Sequence, residues 1–399
     1  MFASRSTLLP AAVLLALFGG SQPVAWPCPS AIGAEPPAKE SKKTIDEKPS
    51  KEIQKLLKQL RSVNEERRDA LTKELQKAPE ESANFLIQLA IARQLLEVKL
   101  TLANKHDDRI TAYKAYYDHT LAVTEVCKKH LEKGHLSTVD SLGVKAAHLE
   151  AEVQFLKAKN KETKGPAAEK EIRRIHQALT ERRDTLLQMW KQLGDALKDG
   201  RRTPDNAMLD HVSRLVLEAE LAVADKRGRL KALQTRYEQA KGTEEISKAM
   251  LEVGRTSLVE YHYSRSARLV AEVAFERAKK DGRYSPQIRK LLKDRLAALS
   301  EEFKIRELQI KAGKVPADSM LAESPRLLDA ELAVAITPAE ALKAYQKYRD
   351  NMAELEKIYK NRHEAERIPL ADYLSTKAAR VQAEIWVLEA KSKAPAPKK

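Results

Sequence analysis

Between Gly134 and Lys159, apolar residues return at alternating steps of three and four: Val139, Leu142, Ala146, Leu149, Val153 and Leu156. That rhythm lays one seam along a helix. The residues before it predict a stop and a restart. Gly134 takes the left-handed C-cap conformation at no steric cost. Ser137 can accept from the free amides of the next helix, and Asp140 follows three residues on in capping-box spacing.

Variants of this phrase recur. Gly254, Ser257 and Glu260 precede Ala271-Glu272, a pair that matches Ala151-Glu152 at the same distance from the glycine. Gly313 leads through Pro316, a favoured first helical residue, to Ala330-Glu331. Pro369 and Asp372 precede Ala383-Glu384, with Ala371, Leu374, Ala378, Val381, Ile385 and Leu388 as the seam and Glu366 where the other copies have glycine. Gly200 with Thr203-Pro204 leads to Ala219-Glu220 through a slightly longer turn, and Val98-Lys99 marks an older copy.

Paired copies reveal a longer period, in which Leu100, Leu221 and Leu332 correspond, as do Tyr117, Tyr237 and Tyr348, and then Gly134, Gly254 and Glu366. The chain therefore divides into three tandem units of roughly 110 to 120 residues, longer than the common solenoid repeats, at about 82–160, 161–280 and 281–391. Each holds two stop-and-restart turns on average. Further breaks fall at Gly165-Pro166, at Asp281-Gly282 before Pro286, and at Thr337-Pro338 with Glu340 in capping-box position. No run alternates apolar and polar residues between turn signals, so no strand is predicted. The expectation is an all-α fold of about eleven or twelve helices, roughly 30 to 45 Å long, in antiparallel hairpins with coiled-coil-like packing. Pro325 removes an amide donor inside one helix and predicts a kink on its solvent side.

Composition agrees: 32% of residues are charged and only 5% aromatic, as in long helices. The ends differ from the body. Met1 to about Ala34 has the form of an export signal, with Arg5, an apolar core from Leu8 to Phe18 too short to span a membrane, and Ala25 or Ala34 for cleavage. Residues 35–50, rich in Pro, Lys, Glu and Ser, read as a disordered linker, and 392–399 as a basic disordered tail. The mature chain is expected in the periplasm or cell envelope, or secreted, with no transmembrane helix. Cleavage after Ala34 removes Cys28 and leaves Cys127 as the one thiol, which supports no disulfide framework.

The net charge of +15 is spread over helix faces with Glu and Asp between the cations and no aromatic platform. This describes a solvated surface, with an anionic envelope polymer as the specific alternative and nucleic acid disfavoured. No phosphate-cradling GxxxxGK, HExxH or GxSxG occurs, and no catalytic residue or cofactor is assigned. Cys127, His130 and His135 have spacing that a metal site could use, but read as a partly buried cysteine beside solvated histidines. The most regular polar feature is the set of acids Glu152, Glu220, Glu272, Glu331 and Glu384. His148, Arg268 and Arg380 stand one turn before three of them, which suits i to i+4 pairs that fix helix register.

The phrase of glycine stop, Ser/Thr or Pro restart, an acid three residues in and a seam closing on Ala-Glu resembles the TolC family of outer-membrane efflux proteins. The likeness covers the five copies and, through the repeat, most of Leu95 to Lys391. It implies helical hairpins and an envelope location, with Gly134, Ser137, Gly254, Ser257 and Gly313 as turn positions and no catalytic residues. The family's barrel strands have no counterpart in the sequence, and three short units replace two long ones. The functional expectation is a non-enzymatic exported helical scaffold or efflux-associated envelope protein that holds protein partners or copies of itself. A TolC-like channel subunit and a binder of anionic envelope polymers are the alternatives.

Overall fold

The computed structural model describes residues 50–77, 85–160, 166–198, 206–279, 285–312, 314–315 and 318–393. Residues 1–34, read above as an export signal, almost all of 35–50, most of 392–399, Gly200, Thr203, Gly313 and Pro316 lie outside them. Twelve helices make up the described chain, and no strand occurs among the described residues. They are α1 (Lys51–Lys77), α2 (Phe85–Leu102), α3 (His106–Glu132), α4 (Thr138–Asn160), α5 (Pro166–Lys198) and α6 (Asn206–Val223). The rest are α7 (Lys226–Glu252), α8 (Leu258–Lys279), α9 (Pro286–Lys311), α10 (Asp318–Val334), α11 (Pro338–Glu364) and α12 (Leu370–Lys393). Two compact units emerge, one formed by 71–236 and the other by 50–70 with 237–393.

The helix ends follow from local chemistry. Gly134 has φ 71°, its N–H donates to the Leu131 carbonyl at 2.9 Å, and the His135 N–H donates to the His130 carbonyl at 2.9 Å. These are the two bonds of a Schellman closure, which satisfies carbonyls that the helix end leaves free. Gly254, φ 69°, repeats it with Leu251 and with Arg255 to Met250. Glu366 adopts φ 54° and makes the same pair of bonds, to His363 and from Arg367 to Arg362. Around Gly313 the longer bond is present, from the Lys314 N–H to the Gln309 carbonyl at 2.9 Å.

The restarts are capped by hydroxyls: Ser137 Oγ accepts the Asp140 N–H at 3.1 Å, and Ser257 Oγ accepts the Glu260 N–H at 3.2 Å. The acids at these two turns accept from hydroxyls, Asp140 from Ser137 and Glu260 from Thr256. At Thr337 the box is reciprocal, because the Glu340 carboxylate accepts the Thr337 N–H at 3.0 Å and the Ile336 N–H at 2.8 Å. Those two amides hold the Glu340 carboxyl below its ordinary range. Pro369 directly precedes α12, whose first turn contains Asp372. The chain stays helical through Pro325, from Asp318 to Val334.

Packing explains the Ala-Glu pairs. Ala151, Ala219, Ala271, Ala330 and Ala383 are all buried. A methyl at these points lets the neighbouring helix approach closely while the adjacent glutamate reaches toward a cation. In α4 the expected seam is buried at Leu142, Ala146, Leu149 and Val153, and a second row, Val144, Ala151 and Ala158, is buried as well. Two apolar faces are needed because α4 packs against both α3 and α5.

In the first unit, Leu149 and Val153 of α4 share a core with Ala178 and Leu179 of α5. In the second, Leu269 and Val273 of α8 meet Ile288, Leu291 and Leu292 of α9. The beginning of α1 supplies the corresponding surface for α12, with Ile53 against Val381 and Ile385 and with Leu56, Leu60 and Leu388 alongside. Each tyrosine of the repeat meets an aromatic ring on the following helix: Tyr117 with Phe155 at 5.7 Å, Tyr237 with Phe275 at 6.0 Å, Tyr348 with Trp386 at 6.0 Å.

Candidate functional site

The recurrent acids stand on separate helices, and Glu152, Glu272, Glu331 and Glu384 are each paired with a cation of their own. Arg268 pairs with Glu272 one turn on and reaches Glu244 of α7 at 2.6 Å. Arg380 does the same with Glu384 at 2.6 Å and with Glu356 of α11. These clamps fix the register of α7 on α8 and of α11 on α12. In the first repeat Thr124 occupies the place of Glu244 and Glu356, so there is no acid for a cation to bridge. His148 lies 3.2 Å from the Thr120 hydroxyl and stacks on Tyr117, and burial keeps its pKa below the ordinary histidine value. Glu152 is held from α5, by the Arg174 guanidinium in a two-pronged contact of 2.6 and 2.8 Å. Glu331 pairs with Lys347 at 2.6 Å. Burial pushes the Glu220 carboxyl up against the opposing field of Arg183.

Cys127 is buried in a core with Phe85, Val123 and Val144, and burial pushes its thiol pKa up, which makes it a poor nucleophile. His130 packs edge-on against Phe85, and its ring centre is 6.0 Å from that of His135. Among the described residues no group of three or more His, Cys, Asp or Glu is arranged to hold a metal.

A less regular feature lies between α9 and α10. Ile175, Leu179, Arg182 and Leu186 of α5 correspond in order to Ile288, Leu292, Arg295 and Leu299 of α9. Continuing that register sets Met189 and Leu193 opposite Glu302 and Arg306. Aligning Ala219 with Ala330 sets Val212 and Leu215 opposite Glu323 and Arg326. On α5 and α6, Met189, Leu193 and Val212 form an apolar cluster with Leu142. On α9 and α10, ions take the corresponding positions: Arg326 is 3.3 Å from Glu302, and Arg306 Nε is 2.9 Å from Glu323. His262 corresponds to Leu142.

Glu302 is only 1% exposed. The Oε2 atoms of Glu302 and Glu323, the Ser324 hydroxyl and His262 Nδ1 are buried without hydrogen-bond partners, and the Arg306 Nε–H is not aimed at its near carboxylate. Burial raises the Glu323 carboxyl to about 7 against the fields of Arg306 and Arg326, and the Glu302 charge adds to the rise. Burial also raises Glu302, with both arginines opposing.

No family model, curated protein or solved structure matches the chain.

An exposed apolar row lies where α7 turns into α8. Ile246, Met250 and Val253 follow at steps of four and three on one face, and Leu258 continues beyond the Gly254 turn. Ile246 is 63% exposed and Val253 67%. At the corresponding places in the first repeat stand Val126, His130, Lys133 and Thr138, where His130 meets Phe85 of α2. Charged Lys241, Glu245, Lys248 and Glu252 border the row and are exposed. An apolar stripe rimmed by charge is the surface that an amphipathic helix covers.

The described turn and cap positions named from the sequence do not converge on a common point of chemistry; they end and begin helices. The ion cluster and the exposed row were both missed by motif reading. Comparing repeats position by position would have revealed them, because each is a place where one copy departs from its sister.

Proposed function

We propose that this chain is a non-enzymatic, exported helical scaffold of the cell envelope, an efflux-associated component in the sense of its TolC-like turn phrases. It holds a partner protein by an amphipathic helix laid along the α7 to α8 row. The exposed row Ile246, Met250, Val253 and Leu258 carries this reading, because apolar side chains in register on a helix are stabilised by cover from water. The capped turns support it by fixing where each helix ends, and the arginine clamps by fixing which faces meet. Among the described residues no helix is long and apolar enough to cross a membrane.

Fractionation of the native cell envelope tests the proposal. The scaffold leaves the membrane fraction in carbonate without detergent, and an Ile246→Lys/Val253→Lys chain leaves under milder washing than the wild type. Retention as a stable trimer until detergent is added contradicts the scaffold and favours a channel subunit.

A further inference from the structure

We propose that α9 and α10 form a pH-sensitive joint, in which an ion cluster replaces the apolar packing of the corresponding helices α5 and α6 and its protonation sets how tightly the two helices close. Three observations carry this. The exchange is concerted, with Met189, Leu193, Val212 and Leu215 answered by Glu302, Arg306, Glu323 and Arg326. The acidic side of the cluster is shielded yet incompletely bonded: Glu302 is buried and Glu323 nearly so, the arginines are half-buried, and one oxygen of each carboxylate and the Ser324 hydroxyl lack partners. The helices also keep an apolar contact beside the ions, since Leu299 and Phe303 of α9 pack with Leu327 and Ala330 of α10.

Two carboxylates can only accept hydrogen bonds. Protonating one removes the repulsion between them and creates a donor inside the cluster. Of the two, Glu323 has its pKa raised to about 7 by burial first and the Glu302 charge second, with Arg306 and Arg326 opposing. The neighbouring charges are otherwise engaged. From α8, Tyr263 lies under the Arg326 guanidinium at 4.6 Å, and His262 feels Arg265 and Glu301. From α9, Arg295 holds Asp329 at 2.8 Å, and from α11, Lys347 holds Glu331.

The direction follows from proton linkage. An acid whose folded pKa exceeds its unfolded value binds more protons in the folded state, so stability falls as pH rises between the two. For Glu323 that window runs from the ordinary glutamate range up to about 7, and the loss is complete above it. The joint is tight in mild acid and loosened above neutrality.

Amide hydrogen exchange of the full chain at pH 5.5 and pH 8, corrected for the intrinsic exchange rate, tests this. Protection of α9 and α10 relative to α12 is expected to fall by about tenfold or more at the higher pH. Glu323→Gln is expected to give the same relative protection at both. A wild-type ratio constant to within about twofold overturns the proposal, whatever the variants do. So does a folded Glu323→Gln chain that keeps the wild-type response. Where Glu323→Gln does not fold, the four-residue exchange Glu302→Met, Arg306→Leu, Glu323→Val, Arg326→Leu installs the residues of α5 and α6. A persisting pH response there also overturns the proposal.

Discussion

Glu366 ends α11 with the same left-handed backbone that Gly254 uses to end α7, φ 54° against 69°, and both close the same pair of Schellman bonds. The repeat therefore imposes a glycine conformation on a residue that carries a side chain.

That conformation costs a non-glycine residue roughly 1–2 kcal/mol, part of which glycine gives back through its freer unfolded chain. Glu366→Gly is expected to stabilise the protein by about 0.5–1 kcal/mol. Gly254→Val, by the same reasoning, costs about 1 kcal/mol or more. Urea unfolding of the two variants checks both signs.

The buried alanines set how closely helices approach. Ala151 and Ala383 have no exposed surface. Replacing either with leucine overpacks its interface, for an expected loss of about 1–3 kcal/mol, and thermal unfolding reports it. Ala249 is exposed on α7, and the same substitution there leaves the melting temperature unchanged.

The arginine clamps hold two carboxylates each from half-buried positions. Removing Arg380 leaves Glu356 and Glu384 facing one another's helices without their cation. Arg380→Ala is expected to cost about 2 kcal/mol, less than a fully buried pair because water still reaches the site. A double-mutant cycle of Arg380→Ala with Glu356→Ala should give a coupling of about 1 kcal/mol, well above that of the exposed pair Lys114 and Asp118.

Much of this fold was legible in the sequence because caps are local. Gly134 with Ser137 and Thr337 with Glu340 mark their turns by chemistry that needs no distant partner. The second buried row of α4 was not visible, since Val144, Ala151 and Ala158 are small or scattered beside the stronger Leu149 seam. The packing of Ile53 on Val381 is a contact between the two ends of the described chain, and no local pattern encodes it. The partner of Glu152 was misassigned for a related reason. The i to i+4 rule points to His148, whereas Arg174 of the next helix holds the acid with a better-matched planar fork. Glu302 and Arg306 look like an ordinary solvated pair at helical spacing. Only the equivalence with Met189 and Leu193 shows that they occupy a core.

The exposed row makes a separable demand on stability and on binding. Ile246→Lys and Val253→Lys remove apolar surface that is already in water, so each is expected to change unfolding free energy by no more than about 0.5 kcal/mol. A loss of partner binding with stability intact assigns the row to recognition.

Site-specific photo-crosslinking in intact cell envelopes tests the scaffold most directly, with the reactive side chain placed at Val253 and, as the control, at the equivalent Lys133. The account predicts one discrete adduct at Val253, mapping by mass spectrometry to an amphipathic helical segment of a partner and abolished by Ile246→Lys, with none at Lys133. No adduct at Val253, or the same adducts at both positions, would contradict it.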